Sequence, residues 1–100
     1  MPAYMIVTRE GPIADQEAMD TYSAMNRANA ATFVAHYGIR PLAVYGAQQL
    51  LEGEGADGAI ILEFPDAAKA RAWYDSPEYQ AALPYRMKAA PYRVLLVEGL

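Results

Sequence analysis

The stretch from Leu62 to Glu98, LEFPDAAKARAWYDSPEYQAALPYRMKAAPYRVLLVE, carries most of the strong local structural signals in this chain. An apolar strand ends at Pro65-Asp66, where the aspartate is a good N-cap for a helix. Ser76-Pro77-Glu78 is a second helix start, with a capping serine, proline at the first helical position and an acid just inside. The apolar run Tyr92–Glu98 predicts a closing strand. Pro84 removes a backbone hydrogen bond within the second helical segment, so we expect a kink or a break there.

The residues before this stretch predict three strands and one long helix. Ala3–Thr8 is rich in β-branched and aromatic residues, which favour a strand. A helix is predicted from Asp15, a suitable N-cap, to Tyr37, with Gly38 as its left-handed stop. Arg40–Tyr45 predicts the second strand, and Ala59–Phe64 predicts the third and most apolar one.

The predicted order is strand, helix, strand, strand, helix, strand, which indicates an α+β fold over residues 1–100 as one domain. The simplest closure is a ferredoxin-like split βαβ sandwich, a four-stranded antiparallel sheet with the helices on one face. Pairs such as Ile6-Val7 and Leu95-Leu96 place apolar side chains on both faces of that sheet. Because helices can cover only one face, we expect a homodimer packed through the open sheet face.

Composition narrows the classes of partner and of chemistry. The net charge of −4 argues against nucleic acid and anionic membranes, which both demand a basic surface. The absence of cysteine excludes disulfides and thiolate nucleophiles, and a single histidine excludes a multi-histidine metal centre within one protomer. We therefore expect no metal and no cofactor. No secretion signal is evident and no apolar run approaches the roughly 20 residues of a membrane span, so a cytoplasmic protein is expected.

The segment before the third strand matches a nucleotide-binding pattern in letters only. Gly53-Glu54-Gly55-Ala56-Asp57-Gly58 fits G-x-G-x-x-G, but it precedes a strand instead of opening a helix. Its acidic side chains would repel phosphate, so we interpret it as an acidic turn. Gln48–Glu52, just before it, is predicted to be a short continuation of the second strand.

The chain resembles a family of small bacterial proteins known as domain of unknown function 1330. The specific part of the resemblance is the spacing of Phe64-Pro65, Trp73-Tyr74 and Ser76-Pro77-Glu78-Tyr79; the opening AYMIV and the final Glu98-Gly99 also agree. One departure is Tyr37, at a position where a second glycine is expected. The resemblance implies a ferredoxin-like protomer that forms a dimeric α/β barrel. It implies no established reaction, so no catalytic residue is carried over from it.

Three side chains are candidates for catalysis. Glu63 interrupts the most apolar strand, and a carboxylate on a buried sheet face is costly unless it is paired or protonated. Arg86 shares a helix stripe with Tyr79, so it is predicted to reach inward or across an interface. Glu63 and Arg86 would then form a buried ion pair that fixes the dimer, or Glu63 would act as a base with a raised pKa or as a ligand anchor. His36 is either a capping residue at a helix end or a general base at the mouth of a pocket.

The candidate ligand-binding residues come from the aromatic and amide side chains of the helices. Tyrosine combines an apolar ring with a polar tip, which suits a cleft that holds a planar small molecule. Asn26 falls on the apolar stripe of the long helix, where it is either a half-exposed amide or a hydrogen-bonding group in a pocket. The candidates are Tyr22, Asn26, Tyr37 and Trp73.

Three functions are consistent with these observations. The first is binding or transformation of a small apolar or aromatic metabolite in the cleft between helices and sheet. The second, by analogy with other dimeric barrels, is a cofactor-independent monooxygenase-like or isomerase-like enzyme. The third is a structural or regulatory dimer without a ligand. The first two require a cavity lined by histidine, tyrosine and asparagine, whereas the third predicts a filled core.

Overall fold

The computed structural model describes residues 1–100 and contains four strands and four helices. All strand pairs are antiparallel, and the sheet order is β2-β3-β1-β4. The predicted α+β class and the ferredoxin-like, four-stranded antiparallel sheet are therefore confirmed. The elements are β1 (Ala3–Arg9), α1 (Gln16–Ala28), α2 (Ala30–Tyr37), β2 (Arg40–Val44), β3 (Gly58–Phe64), α3 (Ala67–Tyr74), α4 (Pro77–Ala89) and β4 (Tyr92–Glu98).

The central strand β1 divides the sheet into a covered face and an open one. Ala3, Met5 and Val7 are buried beneath the helices, whereas the alternate residues are only partly buried. On the open face the cross-strand neighbour of Ile6 in β4 is Leu95, which is 54% exposed. Val97 is 41% exposed on the same strand. The open sheet face is thus apolar and lacks a helix layer.

An aromatic cluster fills the space between the covered face and the helices. The Trp73 ring centroid lies 4.2 Å from that of Tyr79 and 5.4 Å from that of Phe64. Phe33 meets Trp73 edge-on at 6.0 Å. Edge and tilted contacts of this kind add stabilisation beyond burial alone. The cluster fixes the position of Trp73, which also forms part of the cavity wall described below.

The helix predicted from Asp15 to Tyr37 is two helices, so that prediction is wrong in its continuity. Asp15 does cap α1, accepting a hydrogen bond of 3.0 Å from the Ala18 amide. The break falls at Asn29, whose backbone (φ −98°, ψ 2°) leaves the helical region. The Asn29 amide side chain donates to the Met25 carbonyl at 3.1 Å, and such local bonding competes with helix continuation.

Two further local predictions differ from the structure. α4 runs through Pro84 to Ala89 without a break, so of the kink or break expected at the proline, the break is absent. Gln48–Glu52 is not a strand; β2 ends at Val44 and residues 45–57 connect it to β3 without helix or strand. The predicted helix starts are confirmed, because Asp66 and Ser76 both accept hydrogen bonds from amides in the first turn.

Gly38 forms the predicted left-handed stop after α2, with φ of 65°. A Cβ at this position would lie 2.7 Å from Cγ of Pro65, at the start of the segment leading into α3. Glycine is therefore required here both by backbone conformation and by space. None of the four helices has the length and apolar character that a membrane-spanning helix requires.

Candidate functional site

A cavity of about 420 Å³ lies between α1, α2 and the β2–β3 side of the sheet. Its floor is formed by buried side chains of the core, including Val7, Phe33 and Trp73. Its rim includes Val34 and Val44, which are each 56% exposed, so the cavity opens to solvent beside β2. This size lies within the range of about 300–1,000 Å³ that is usual for small-molecule sites.

Helical and strand periodicity explain how the chain builds this cavity. Met19, Tyr22, Ser23 and Asn26 recur at three- and four-residue intervals, which places them on one face of α1. Ile60 and Leu62 alternate along β3 and form the opposite wall. Of the 17 lining residues 13 are hydrophobic, so the site favours an apolar ligand.

Two polar atoms on this apolar wall lack a partner in the protein. Asn26 Oδ1 and Trp73 Nε1 are both buried and make no hydrogen bond. Trp73 is only 5% exposed, so water does not freely reach its indole N–H. An unpaired buried donor or acceptor costs about 1–3 kcal/mol. Both side chains line the cavity, but these two atoms are covered by protein and lie behind its surface.

A line of three side chains extends from the cavity into the protein. The hydroxyls of Tyr22 and Tyr79, both lining residues, lie 2.9 Å apart, and Arg86 Nη1 donates to the Tyr79 hydroxyl at 3.4 Å. Arg86 is behind Tyr79, is 5% exposed and forms no ion pair with any carboxylate. Burial is the main reason that the pKa of Tyr79 is raised, while the Arg86 charge acts in the opposite direction. Tyr79 therefore stays protonated at neutral pH.

A second tyrosine pair lies next to this line. The Tyr45 hydroxyl, at the rim, is 2.6 Å from the Tyr92 hydroxyl of β4. The Arg86 guanidinium lies 5.1 Å from the Tyr92 ring centroid, a cation–π contact. Burial, followed by the hydrogen bond shared with Tyr45, raises the pKa of Tyr92. Arg86 is thus surrounded by neutral aromatic groups.

The structure brings together three of the four predicted ligand-binding residues. Tyr22, Asn26 and Trp73 all line the cavity. Tyr37 does not line it; its ring lies 6.4 Å from that of Phe33 at the edge of the core. Whether any of these side chains binds a ligand stays a prediction.

The structure does not support a role for His36 at a pocket mouth. Its side chain is exposed, at the last turn of α2, and it is absent from the cavity lining. Its backbone carbonyl accepts a hydrogen bond of 3.3 Å from Lys69 Nζ, which ties α2 to α3. No group of three or more His, Asp or Glu side chains lies close enough together to hold a metal ion.

The predicted pairing of Glu63 with Arg86 does not occur within the protomer. Leu62 points toward the helices, so alternation sends the next side chain, Glu63, to the open face. There it lies 3.9 Å from Arg40 of β2, whose side chain is largely exposed. Arg86 belongs to the helix layer on the other side of the sheet, so no ion pair can form within the chain.

The sequence alone did not place Tyr79, Arg27, Ser23 or Tyr45 in the site, although all four line the cavity. A signal for Tyr79 was present, because it shares one face of α4 with the otherwise unexplained Arg86, seven residues away. The other three carry no local signal that distinguishes them from surface residues.

The chain matches the model of one protein family and is similar in fold to a number of solved structures. The family model described as Domain of unknown function (DUF1330) matches residues 2–100. Among curated proteins, none matches the chain.

Solved structures of similar fold include a protein of unknown function from Rhodopseudomonas palustris, at 22% identity and TM-score 0.69, covering 99% of this chain and 82% of that one. A dimeric ferredoxin-like protein of unknown function from Jannaschia sp. CCS1 has 18% identity and TM-score 0.70, covering 99% and 100%. A candidate antibiotic biosynthesis monooxygenase from Nitrosomonas europaea has 10% identity and TM-score 0.61, covering 99% and 89%. At these identities the likeness concerns the fold alone.

Proposed function

The chain belongs to the family Domain of unknown function (DUF1330), and from this premise we propose that it binds a small apolar or aromatic molecule in the cavity between α1, α2 and the sheet. The observation that carries the proposal is an open cavity of about 420 Å³ with 13 hydrophobic residues among the 17 that line it. Small-molecule sites are typically concave, mostly apolar and of this size. A mostly apolar ligand would fill this space.

The open cavity also argues against the hypothesis of a structural dimer without ligand. That hypothesis predicts a filled core, whereas a space of about 420 Å³ lies directly against the aromatic cluster. Exposed apolar walls cost free energy in proportion to their area. A ligand that fills the cavity would cover these walls and so explain why the protein keeps the space open.

Trp73 is the one tryptophan of the chain and lies in the cavity wall, so its fluorescence reports on occupancy. We expect saturable quenching of this emission by 7-methoxycoumarin or 7-hydroxycoumarin, two planar aromatic probes. Binding would also raise the melting temperature in proportion to probe concentration, by mass action.

Two matched variants control this titration. Ala30 lines the cavity on α2, so Ala30→Phe places a ring in the space and should abolish quenching. Ala31 is the next residue, exposed and outside the cavity lining, so Ala31→Phe should leave quenching unchanged. If neither coumarin gives saturable quenching, or if Ala30→Phe quenches like the wild type, the binding proposal is wrong.

The enzymatic alternative adds conversion to binding at the same site. Its support is a fold shared with the Nitrosomonas europaea protein named above, together with the protonated Tyr79 beside a buried arginine. Shared fold does not establish shared chemistry. Chromatography of a bound probe after incubation in air separates the alternatives, since a binding protein returns the probe unchanged.

We further propose that the protein is a homodimer packed through the open sheet face. Leu95 and Val97 are exposed there on β4, and patches of this kind usually mark interfaces. The Jannaschia protein of the same fold is described as dimeric. Light scattering should give the mass of a dimer for the wild type and of a monomer for Leu95→Asp. A monomeric wild type at micromolar concentration would contradict the proposal.

A further inference from the structure

We infer that the ligand presents an acidic oxygen, of an enol, a phenol or a carboxylic acid, which the cavity binds as an anion through Tyr22 with Arg86 as the source of positive charge. This inference rests on the proposed binding function and adds the chemical class of the ligand. It follows from the direction of hydrogen bonds, from the burial of Arg86 and from the charges around the cavity.

Donation from Arg86 to Tyr79 and from Tyr79 to Tyr22 is the direction that gives the buried Tyr79 proton an acceptor. A guanidinium has donors and no acceptor, so Arg86 donates to the Tyr79 hydroxyl oxygen. Tyr79 is 2% exposed, and the acceptor within reach of its proton is the Tyr22 oxygen at 2.9 Å. In this arrangement the Tyr22 oxygen accepts the hydrogen bond from Tyr79, and the Tyr22 O–H is free to donate to another acceptor. Tyr79 is the hydrogen-bonding partner of the Tyr22 hydroxyl within the protein. An acceptor for the Tyr22 hydroxyl proton must therefore come from outside the chain.

Arg86 is a buried positive charge with no carboxylate to balance it. It is 5% exposed, its Nε makes no hydrogen bond, and its polar contact is the long bond to Tyr79. Burying an unpaired ion is unfavourable, so such a group calls for an anion nearby. Polarised through Tyr79, the Tyr22 hydroxyl becomes a stronger donor toward a negatively charged oxygen.

The cavity itself offers no competing negative charge. Arg27 is the one charged side chain among the lining residues, and none of them is aspartate or glutamate. A protein with a net charge of −4 thus holds a locally cationic pocket. The titratable and charged groups that line it are Tyr22 and Arg27 of α1, Tyr79 of α4 and Tyr45 after β2. Behind this wall, Arg86 contacts Tyr79 and Tyr92 contacts Tyr45. With no histidine or carboxylate on the wall, the proton lost by the ligand passes to solvent.

Trp73 limits the shape of the ligand. Its ring lies in the cavity wall together with Tyr22, and an aromatic ring provides a flat apolar surface. A planar molecule whose acidic oxygen reaches the Tyr22 hydroxyl matches this wall.

The test compares 7-hydroxycoumarin, which ionises and whose absorbance reports its ionisation, with its methyl ether 7-methoxycoumarin, which cannot ionise. Above the pKa of the free phenol we expect the hydroxy compound to bind roughly tenfold more tightly than the ether, as charge-assisted hydrogen bonds predict. The pKa of the bound phenol should fall by about one unit relative to the free probe.

Two variants assign that preference to the proposed side chains. Tyr22→Phe keeps the ring and removes the hydrogen-bond donor. Arg86→Met keeps a side chain of similar volume and removes the charge. In each variant the affinities for 7-hydroxycoumarin and 7-methoxycoumarin should lie within about twofold of each other. Tyr37→Phe, outside the cavity, should retain the full preference. Tyr22→Phe still decides the question should Arg86→Met fail to fold.

The outcomes separate this inference from the proposed function. Equal binding of the two coumarins by the wild type overturns the inference and leaves the cavity a neutral apolar site. A preference that survives both Tyr22→Phe and Arg86→Met also overturns it. Absence of binding by either probe overturns the proposed function and the inference together.

Discussion

Replacement of Arg86 by methionine should stabilise the unliganded protein. The change removes a buried cation that has no carboxylate partner and substitutes an apolar chain of similar length. The losses are one hydrogen bond from a charged donor to Tyr79, which at 3.4 Å is long and so worth about 1.5 kcal/mol, the lower end for charged groups, and one cation–π contact with Tyr92, worth about 0.5–2 kcal/mol. The Tyr79 hydroxyl keeps its bond to Tyr22, so no new unpaired group arises.

The gain is the relief of desolvation, which for a buried ion amounts to several kcal/mol. We therefore expect the free energy of unfolding to rise by about 1–3 kcal/mol. In a chain of this length each kcal/mol corresponds to roughly 4–8 °C in melting temperature. Urea denaturation followed by Trp73 fluorescence, together with thermal melts at fixed protein concentration, measures both quantities.

Arg71→Met is the matched control, because Arg71 is an exposed helical arginine paired with Asp75 at 2.8 Å. Exposed pairs contribute little, so its unfolding midpoint should hardly change. If Arg86→Met instead lowers stability by about 1 kcal/mol or more, Arg86 holds the fold together. The reasoning that makes it a binding group would then be refuted.

Three further predictions concern the caps and the turn that position the site. Gly38→Ala should cost about 1–3 kcal/mol, since it combines a left-handed φ with a Cβ 2.7 Å from Pro65; an unchanged urea midpoint would contradict this. Ser76→Ala should cost about 1–2 kcal/mol by removing the cap of α4, and an equal melting temperature would argue against that cap. The hydrogen bond from the Ala18 amide, aided by Lys88 and opposed by desolvation, lowers the pKa of Asp15 from 3.8. The stability that ionised Asp15 adds to the fold is therefore present above that pH and is lost as the pH falls through the lower pKa of the folded state. On acidification the free energy of unfolding should fall more for the wild type than for Asp15→Asn. Parallel curves of unfolding free energy against pH would contradict this prediction.

The fold was largely predictable because its signals are local. Asp66 and Ser76 cap helices that begin where the sequence indicates, and Gly38 ends α2 with the expected left-handed backbone. The break at Asn29 was missed because the apolar stripe continues across it, from Tyr22 through Phe33. Helical periodicity alone cannot separate one bent helix from two.

The site was predictable only in part because it depends on how far apart distant elements are held. Tyr22, Asn26 and Trp73 were identified from residue type and helix position, but the space between α1 and β3 has no local signature. The pairing of Glu63 with Arg86 failed for a related reason. Strands that are apolar on both faces do not reveal which face the helices cover, and that choice places the two charges on opposite sides of the sheet.

The most direct test of a ligand in this cavity is the indole N–H resonance of Trp73 in a ¹⁵N-labelled sample. The chain has one tryptophan, so the spectrum contains a single indole signal, from a proton that has no partner in the unliganded protein. Because the Trp73 ring lines the cavity, we predict that saturating 7-hydroxycoumarin shifts this signal, with the dissociation constant found by fluorescence, and that Ala30→Phe abolishes the shift. Binding detected by fluorescence with an unmoved indole signal would contradict the account.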